Sequence, residues 1–460
     1  MKKNNSFQLT TKILQVTFIN PPRPSGTPPF KRRGIRATVL LFSFLLFSFS
    51  PFSSFAQHFN DYFENKTLRL DYLHIGDAFS ERIDPITFWA GGIWSGTRAQ
   101  LIEPARLGEV VLTVKDAASG KIIYTRSYST LFGEFATTEK AEQVEGVFEE
   151  SILMPYPKEK ILYEFSVYSR AHEFNVLYEG AFDPKQTPQQ CFKKEYKIMD
   201  LHIGGNPENC LDILFIPDGY SIKDKSKLRS DMKTFAKYIL NCSPFKENKR
   251  KINIRAIEGY SQHSGITDPN ANVYKKTLIG SSYNTIDVDR YLMCLNVWKM
   301  NEIADDAPYD AILIICNSTK YGGGGIYNFY ATVNSNGKYS DYVTVHELGH
   351  SIIGLGDEYF TSEVSVRDFY PEGIEPVEQN LTTLVDFDKK WKHLISKDTP
   401  VPTPDTEEYN NVIGVFEGGG YVAKGVYRPW RNCTMKDKAY NGFCPVCKEA
   451  FREVFEYYGK

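Results

Sequence analysis

The chain has 460 residues, of which 42% are hydrophobic and 24% are charged. This composition is typical of a globular protein with a sizeable core and excludes an intrinsically disordered one. All 56 acidic residues but only 46 of the 54 basic ones follow residue 56, so the body of the chain carries a formal charge of −10. Such a surface does not neutralise phosphates, which argues against a nucleic-acid partner.

Residues 1–56 have the features of a secretory signal peptide with an extended N-terminus. A basic cluster at residues 31–36 precedes an apolar run at residues 37–52, and small residues at 54 and 56 suit a cleavage site. We expect cleavage near Ala56–Gln57 and a mature protein that is secreted, periplasmic or at the cell surface. An uncleaved anchor helix is the alternative, although about 16 apolar residues are few for a membrane span. We expect no stable membrane span after cleavage.

Residues 57–190 are predicted to form an antiparallel β-sandwich domain. Short runs of β-branched and aromatic residues recur between turn signals, at residues 68–72, 110–114, 122–124 and 161–168. No group of acids, bases or metal ligands stands out there. We therefore interpret this part as an accessory domain.

Residues 195–460 are predicted to form a catalytic domain of the α+β or α/β class. Apolar runs and helical spacing alternate in the order strand 210–217, helix 225–240, strand 252–257, helix 287–300 and strand 311–316. Four glycines, Gly322 to Gly325, lack the Lys-Ser/Thr of a phosphate-binding loop. They predict a flexible turn that leads into an edge strand at residues 326–333.

The motif that carries chemistry is His346-Glu347-Leu348-Gly349-His350. Residues four apart share one face of a helix, so His346 and His350 can bind one metal ion. Glu347 is then placed to act as a general base on a metal-bound water. This H-E-x-x-H pattern predicts one catalytic Zn²⁺.

A catalytic zinc site needs a third protein ligand and an open position. Gly354 and Gly356 predict that the helix ends after Ile353 and that the chain turns back, which would return Asp357 to the ion. The metzincin pattern H-E-x-x-H-x-x-G-x-x-H/D places its third ligand six residues after the second histidine, whereas Asp357 follows His350 by seven. Alternatives to Asp357 are Glu358, Glu372, Glu375, Glu378 and His393.

Three of the eight cysteines, Cys433, Cys444 and Cys447, crowd near the C-terminus. In an exported protein they favour a disulfide from Cys433 to Cys444 or Cys447 over free buried thiols. The spacing of Cys444 and Cys447 also suits a redox pair or half of a zinc site. Met435, between Cys433 and Cys444, is a candidate for the turn beneath a metzincin zinc.

Together with the H-E-x-x-H motif, the segments Gly414–Tyr421, Tyr427–Pro429 and Cys433–Met435 resemble the secreted metallopeptidase family named after IgA peptidase. The resemblance covers about residues 195–460. It implies a metzincin-like zinc endopeptidase that acts on a protein or peptide substrate, with a β-rich N-terminal accessory domain. It does not imply that the substrate is IgA.

The mechanism we expect is peptide-bond hydrolysis by a metal-activated water with Glu347 as general base. Four tyrosines are candidates for stabilising the oxyanion, namely Tyr359, Tyr421, Tyr427 and Tyr440. The alternative is a non-catalytic extracellular module that binds protein or carbohydrate and retains a metal site. An intact Glu347 argues against that alternative.

Overall fold

The structure is a computed structural model that describes residues 58–459, apart from residues 105, 169–172, 361–369, 372 and 439–441. The predicted signal peptide and its cleavage site at Ala56–Gln57 lie outside the described residues. Within the described part, no helix has the length and apolar character needed to cross a membrane.

The N-terminal part is built mainly from eight strands. These are β1 (Phe63–Gly76), β2 (Glu81–Gly91), β3 (Val110–Asp116), β4 (Ile122–Tyr128), β5 (Gly146–Pro157), β6 (Ile161–Tyr168), β7 (Phe174–Phe182) and β8 (Gln190–Cys191). They form two four-stranded sheets, β5–β1–β2–β8 and β4–β3–β6–β7. Both sheets bury side chains in one hydrophobic cluster. The predicted strands at residues 110–114, 122–124 and 161–168 are confirmed.

Strand β1 explains why the alternating pattern at residues 68–72 is imperfect. Thr67 to Tyr72 are all buried, so neither face of this stretch is in contact with solvent. Arg69 forms ion pairs with Asp71 and with Asp305, which lies in the C-terminal part. The polar side chain of Arg69 therefore faces a second layer of protein and not solvent.

The remaining elements surround a six-stranded mixed sheet. Its strands are β9 (Lys197–Ile203), β10 (Leu211–Asp218), β11 (Ile252–Glu258), β12 (Ala311–Cys316), β13 (Gly323–Ile326) and β14 (Tyr330–Asn334), and a separate hairpin contains β15 (Phe416–Gly419) and β16 (Val422–Arg428). The sheet order is β13–β14–β12–β10–β11–β9. The four inner strands are parallel and both edge strands are antiparallel.

Six α-helices occur among the described residues. They are α1 (Phe59–Tyr62), α2 (Leu131–Phe135), α3 (Lys225–Asn241), α4 (Val297–Ala304), α5 (Ser340–Ile353) and α6 (Pro445–Tyr458). Helices α3, α5 and α6 share a core with one face of the six-stranded sheet, and α4 packs on the other face. The protein thus has a mixed α and β fold with several sheets.

The prediction of a helix over residues 287–300 is wrong for its first ten residues. Helix α4 begins only at Val297, and Ile286 and Asp287 have positive φ angles of 46° and 64°. Leu292, Met293 and Cys294 are consecutive and all buried. A helix cannot bury three successive residues on one face, whereas an extended segment between two layers can.

The prediction for the four glycines is also corrected. They do not form a turn before an edge strand, because Gly323–Ile326 is itself the edge strand β13 and pairs with β14. A Cβ atom on Gly325 would lie 2.3 Å from the main-chain oxygen of Glu347. Glycine is required here because the strand packs directly on the backbone of α5.

Hydrogen bonds join the N-terminal sheets to the residues after β13. The Ser129 amide donates to the Tyr327 oxygen at 2.9 Å, and the Asn328 side-chain amide donates to the Ser127 oxygen at 2.8 Å. The N-terminal part is thereby held beside the end of α5 that carries the H-E-x-x-H motif.

Candidate metal centre

Helix α5 brings the two histidines of the motif together. The Nε2 atoms of His346 and His350 are 3.2 Å apart, as expected for residues one turn apart on the same face. The helix ends as predicted after Ile353, because Gly354 adopts a left-handed conformation with φ of 69°. The Gly354 amide donates to the His350 oxygen at 3.0 Å.

After this turn the chain returns Asp357 to the histidines. Oδ1 of Asp357 lies 3.1 Å from Nε2 of His346 and 3.3 Å from Nε2 of His350. The side chain of Asn380 holds the return in place, since it accepts from the Gly356 amide and donates to the Gly356 oxygen, both at 2.8 Å. The sequence did not indicate Asn380, because this residue belongs to no motif and lies 24 residues from Gly356.

The other ring nitrogen of each histidine, Nδ1, is within hydrogen-bond distance of a main-chain oxygen. Nδ1 of His346 lies 3.0 Å from the Thr434 oxygen, and Nδ1 of His350 lies 2.6 Å from the Leu355 oxygen. A carbonyl only accepts, so each neutral ring carries its proton on Nδ1 and presents a lone pair from Nε2. This is the arrangement in which histidines bind a metal ion.

Three lone-pair donors, two Nε2 atoms and Oδ1 of Asp357, therefore converge with separations of 3.1–3.3 Å. Two ligands that are each about 2.05 Å from a tetrahedral ion lie about 3.3 Å apart. Asp357 Oδ1 is buried without a hydrogen-bond donor. The spacing, the donor set and this unpaired oxygen all fit a zinc ion.

The electrostatics of the centre agree with this arrangement. Burial disfavours the charged ring of His350, but the Asp357 carboxylate raises the pKa of His350 to about 9. Burial also disfavours the Asp357 carboxylate, yet the two histidines lower the pKa of Asp357 well below its usual range. The centre therefore holds an anionic carboxylate that requires positive charge beside it.

Glu347 lies close to the two histidines, but its pKa is shifted in the opposite direction to that of Asp357. Its ligand atom lies within 4.8 Å of those of His346 and His350. Burial raises the pKa of Glu347, and the opposing influence of the histidines does not cancel that rise. A carboxyl group that binds a proton more readily than usual suits transfer of protons near neutral pH.

Two of the four tyrosine candidates lie at the centre. The Tyr421 hydroxyl donates to Oδ2 of Asp357 at 2.7 Å, and Tyr359 stacks over His346 with ring centroids 6.5 Å apart. Tyr427 lies in β16, where its main chain pairs with Thr382. Tyr440 lies outside the described residues.

The other described candidates for the third ligand have contacts of their own. Glu375 accepts from the Thr383 hydroxyl at 3.0 Å, Glu378 accepts from the Tyr370 hydroxyl at 3.1 Å, and His393 is exposed with Nδ1 3.1 Å from the Lys390 oxygen. Glu372 lies outside the described residues. Glu358 points away from the histidines, towards Cys447.

Met435 lies beneath the helix. Its Sδ atom is 2.8 Å from the position that a Cβ atom on Gly349 would occupy. The Met435 oxygen also accepts from the Glu358 amide at 2.8 Å. Residues 433–435 thus support the centre through Thr434 and Met435.

The centre opens into a cleft of about 250 Å³. Strand β13 and Tyr321 border one side, and Tyr359, Tyr370 and Glu378 border another. The N-terminal part contributes Leu107, Glu109, Ser129, Thr130 and Glu134 to the lining. Sequence reasoning had assigned no site residue to the N-terminal part, which contains no motif.

The prediction of a disulfide from Cys433 to Cys444 or Cys447 is wrong. All eight cysteines are unbonded, and the Sγ atoms of Cys433 and Cys447 are 3.8 Å apart, well beyond the length of an S–S bond. Cys433, Cys444 and Cys447 do lie together, as their crowding in the sequence suggested.

Two family models match the sequence. The sequence model described as IgA peptidase M64 matches residues 199–411 and 405–455, which is more than half of the chain. The model described as the peptidase M64 N-terminus matches residues 58–179. No curated protein matches the chain. The two family matches confirm the resemblance inferred from the sequence.

Proposed function

The chain belongs to the IgA peptidase M64 family, and from this premise we propose that it is a secreted zinc-dependent endopeptidase. Membership makes it a peptidase, whose substrates are proteins or peptides. The observation that carries the proposal is the convergence of His346, His350 and Asp357 beside the carboxyl group of Glu347.

The three converging side chains would hold the ion, and the hydrogen bonds behind them would keep it in place. A zinc ion held there would supply Lewis-acid chemistry, which would polarise a carbonyl group and acidify a water molecule. Thr434 and Leu355 fix the histidine tautomers, and Tyr421 fixes the second oxygen of Asp357. This support keeps Oδ1 directed at the histidines.

Glu347 is the proposed general base. Its raised pKa allows the carboxylate to take a proton from the attacking water and then to hand it to the leaving amine. His346 and His350 are held as ligands and take no part in this transfer. Tyr359 lines the cleft, and its hydroxyl is the proposed donor to the oxyanion.

The substrate is proposed to lie along β13. This edge strand borders the cleft, and an extended peptide can pair with such an edge through main-chain hydrogen bonds. Its glycines present backbone without side chains, so the peptide can approach Glu347 closely. The proposed binding edge is therefore Gly323–Ile326 and not the edge strand predicted at residues 326–333.

We also propose the domain organisation and location. Residues 1–56 would be a signal peptide, residues 57–190 an accessory β-sandwich domain and residues 195–460 a metzincin-like catalytic domain. The two N-terminal sheets that share a core, and Met435 beneath α5, support this layout. The mature protein would then be secreted, periplasmic or at the cell surface.

The test combines metal analysis with casein hydrolysis. The purified protein should contain zinc and cleave casein, a chelator should abolish cleavage, and added zinc should restore it. A zinc-loaded protein that cleaves neither casein nor other unfolded proteins would favour the non-catalytic binding module instead.

A further inference from the structure

A second group of metal-ligating side chains lies in the core behind the catalytic centre. Glu358, Cys433, Cys444 and Cys447 are at most 1% exposed, and their ligand atoms all lie within 4.8 Å of one another. The Sγ atoms of Cys433 and Cys447 are 3.8 Å apart, and Oε1 of Glu358 is 3.4 Å from Sγ of Cys447. Around a tetrahedral zinc, two sulfurs are about 3.8 Å apart, and a sulfur and an oxygen are about 3.5 Å apart.

The backbone around these sulfurs is arranged for thiolates. The Cys444 amide donates to Sγ of Cys433 at 3.3 Å, and the Cys447 amide donates to Sγ of Cys444 at 3.4 Å. Cys444 is also the N-cap of α6, a helix of 14 residues. Amide donors and the positive end of a helix dipole both stabilise sulfur in its anionic, metal-binding form.

The carboxyl group of Glu358 provides an independent reason for a cation. Oε1 accepts from the Asn380 side chain at 3.0 Å, but Oε2 is buried with no hydrogen-bond partner. A buried carboxylate without neutralising charge costs several kcal/mol. A disulfide would use two of the three sulfurs and leave Oε2 of this carboxylate without a partner. A divalent ion would use all four groups.

We propose that Glu358, Cys433, Cys444 and Cys447 bind a second, structural zinc ion. The four protein ligands leave no position for water, so this ion takes no part in hydrolysis. It ties α6 to the segment 433–435 and to the residue that follows Asp357.

This position explains what the ion would stabilise. Cys433 precedes Thr434, whose oxygen orients His346, and the Glu358 amide donates to the Met435 oxygen. An ion that holds Cys433 and Glu358 therefore also holds Thr434, which orients His346. It likewise holds the residue next to Asp357. The structural ion keeps the catalytic centre assembled from segments that are far apart in sequence.

Metal counting on the full chain tests the proposal. Wild-type protein purified with zinc should contain two zinc ions per chain by elemental analysis. His350→Ala should retain one and Glu358→Gln should also retain one. If the wild type contains one zinc and His350→Ala contains none, the second site is overturned. If the wild type contains one zinc, which His350→Ala keeps and Glu358→Gln loses, the second site is supported and the proposed function is overturned instead.

Cobalt provides a second readout that does not depend on activity. His350→Ala loaded with Co²⁺ should show the near-ultraviolet charge-transfer absorption of cobalt bound to thiolate. Adding Cys444→Ser should abolish this band, whereas adding Cys210→Ser, a change at another buried cysteine, should leave it.

Thiol mapping of the unmodified protein covers the case in which a cysteine variant fails to fold. After chelation in denaturant without reductant, all of Cys433, Cys444 and Cys447 should react with an alkylating reagent. A peptide that links Cys433 to Cys444 or Cys447 by a disulfide would overturn the proposal.

Discussion

Asp357 and Glu358 are adjacent in the chain, but their carboxyl groups face two different clusters. Oδ1 of Asp357 lies 3.1 Å from Nε2 of His346, and Oε1 of Glu358 lies 3.4 Å from Sγ of Cys447. Successive side chains of an extended segment point in opposite directions, which places one carboxylate in the cleft and the other in the core. The candidate metal centre and the group of three cysteines are therefore linked through two neighbouring residues.

Glu347→Ala should retain zinc and lose most activity. Removal of a general base typically lowers the rate by about 10²–10⁴-fold, whereas the ligands His346 and His350 stay in place. The measurement is casein hydrolysis by protein of verified zinc content. Glu302→Ala, which removes an exposed glutamate from α4, is the matched control and should be fully active. Normal hydrolysis by zinc-loaded Glu347→Ala would remove this residue as the base.

Asp357→Ala should lose the same zinc ion that His350→Ala loses. The carboxylate supplies one of three converging donors, and two histidines alone bind zinc weakly. Glu375→Ala and His393→Ala should keep that ion, because hydrogen bonds hold Glu375 elsewhere and His393 is exposed. The measurement is zinc content after dialysis. Loss of the ion from either control, with retention in Asp357→Ala, would identify a different third ligand.

Tyr421→Phe should lower zinc affinity by about 10-fold, the usual effect of removing a hydrogen bond to a ligand. The lost contact is the 2.7 Å bond from the hydroxyl to Oδ2 of Asp357. Tyr359→Phe should lower kcat, because it removes the proposed donor to the oxyanion. Competition with a chromophoric chelator measures the zinc affinity of each variant. Equal zinc affinity in Tyr421→Phe and wild type would contradict a supporting role for Tyr421.

Gly325→Ala should destabilise the protein by about 1–3 kcal/mol and lower its activity. The added methyl group would lie 2.3 Å from the Glu347 oxygen, so either β13 or α5 must move. Gly205→Ala is the control, since its methyl group would lie 3.0 Å from the Cys210 sulfur and 3.9 Å from the Arg250 oxygen, both longer than the contact at Gly325. Urea unfolding measures the stability. Equal unfolding midpoints for Gly325→Ala and wild type would show that the strand is not held against the helix.

His74 should make stability depend on pH. Burial disfavours its charged ring, but Glu150 at 3.1 Å and Glu81 at 2.8 Å raise the pKa of His74 from 6.5 to about 9. Because the folded pKa exceeds the unfolded one, the stabilisation is complete below pH 6.5 and is lost as the pH rises to 9. It amounts to about 3 kcal/mol.

Urea unfolding at pH 6 and pH 9.5 measures this contribution. The difference between wild type and His74→Gln should be large at pH 6 and smaller at pH 9.5. His393→Gln, at an exposed histidine, should follow wild type at both values. A constant difference between wild type and His74→Gln across this range would contradict the linkage.

Short-range patterns in the sequence were sufficient for much of the fold and for the centre of the site. The runs at residues 161–168 and 311–316 coincide with β6 and β12, and the end of α5 at Ile353 follows from Gly354. The four-residue spacing places His346 and His350 on one face of α5, because helix geometry alone determines that relation. The family resemblance rested on this motif and on the short segments Gly414–Tyr421, Tyr427–Pro429 and Cys433–Met435.

Only the tertiary structure decided which distant groups complete the site. The sequence favoured Asp357 and left Glu358 as an alternative, and only the path of the chain after Gly354 directs one carboxylate to each cluster. Thr434 orients His346 from 88 residues away, and Asn380 holds the turn from 24 residues away. Local spacing determines where a side chain points within one element. Contacts between elements depend on how the whole chain packs, which is why β13, Thr434 and the pairing of Glu358 with three cysteines emerged only from the structure.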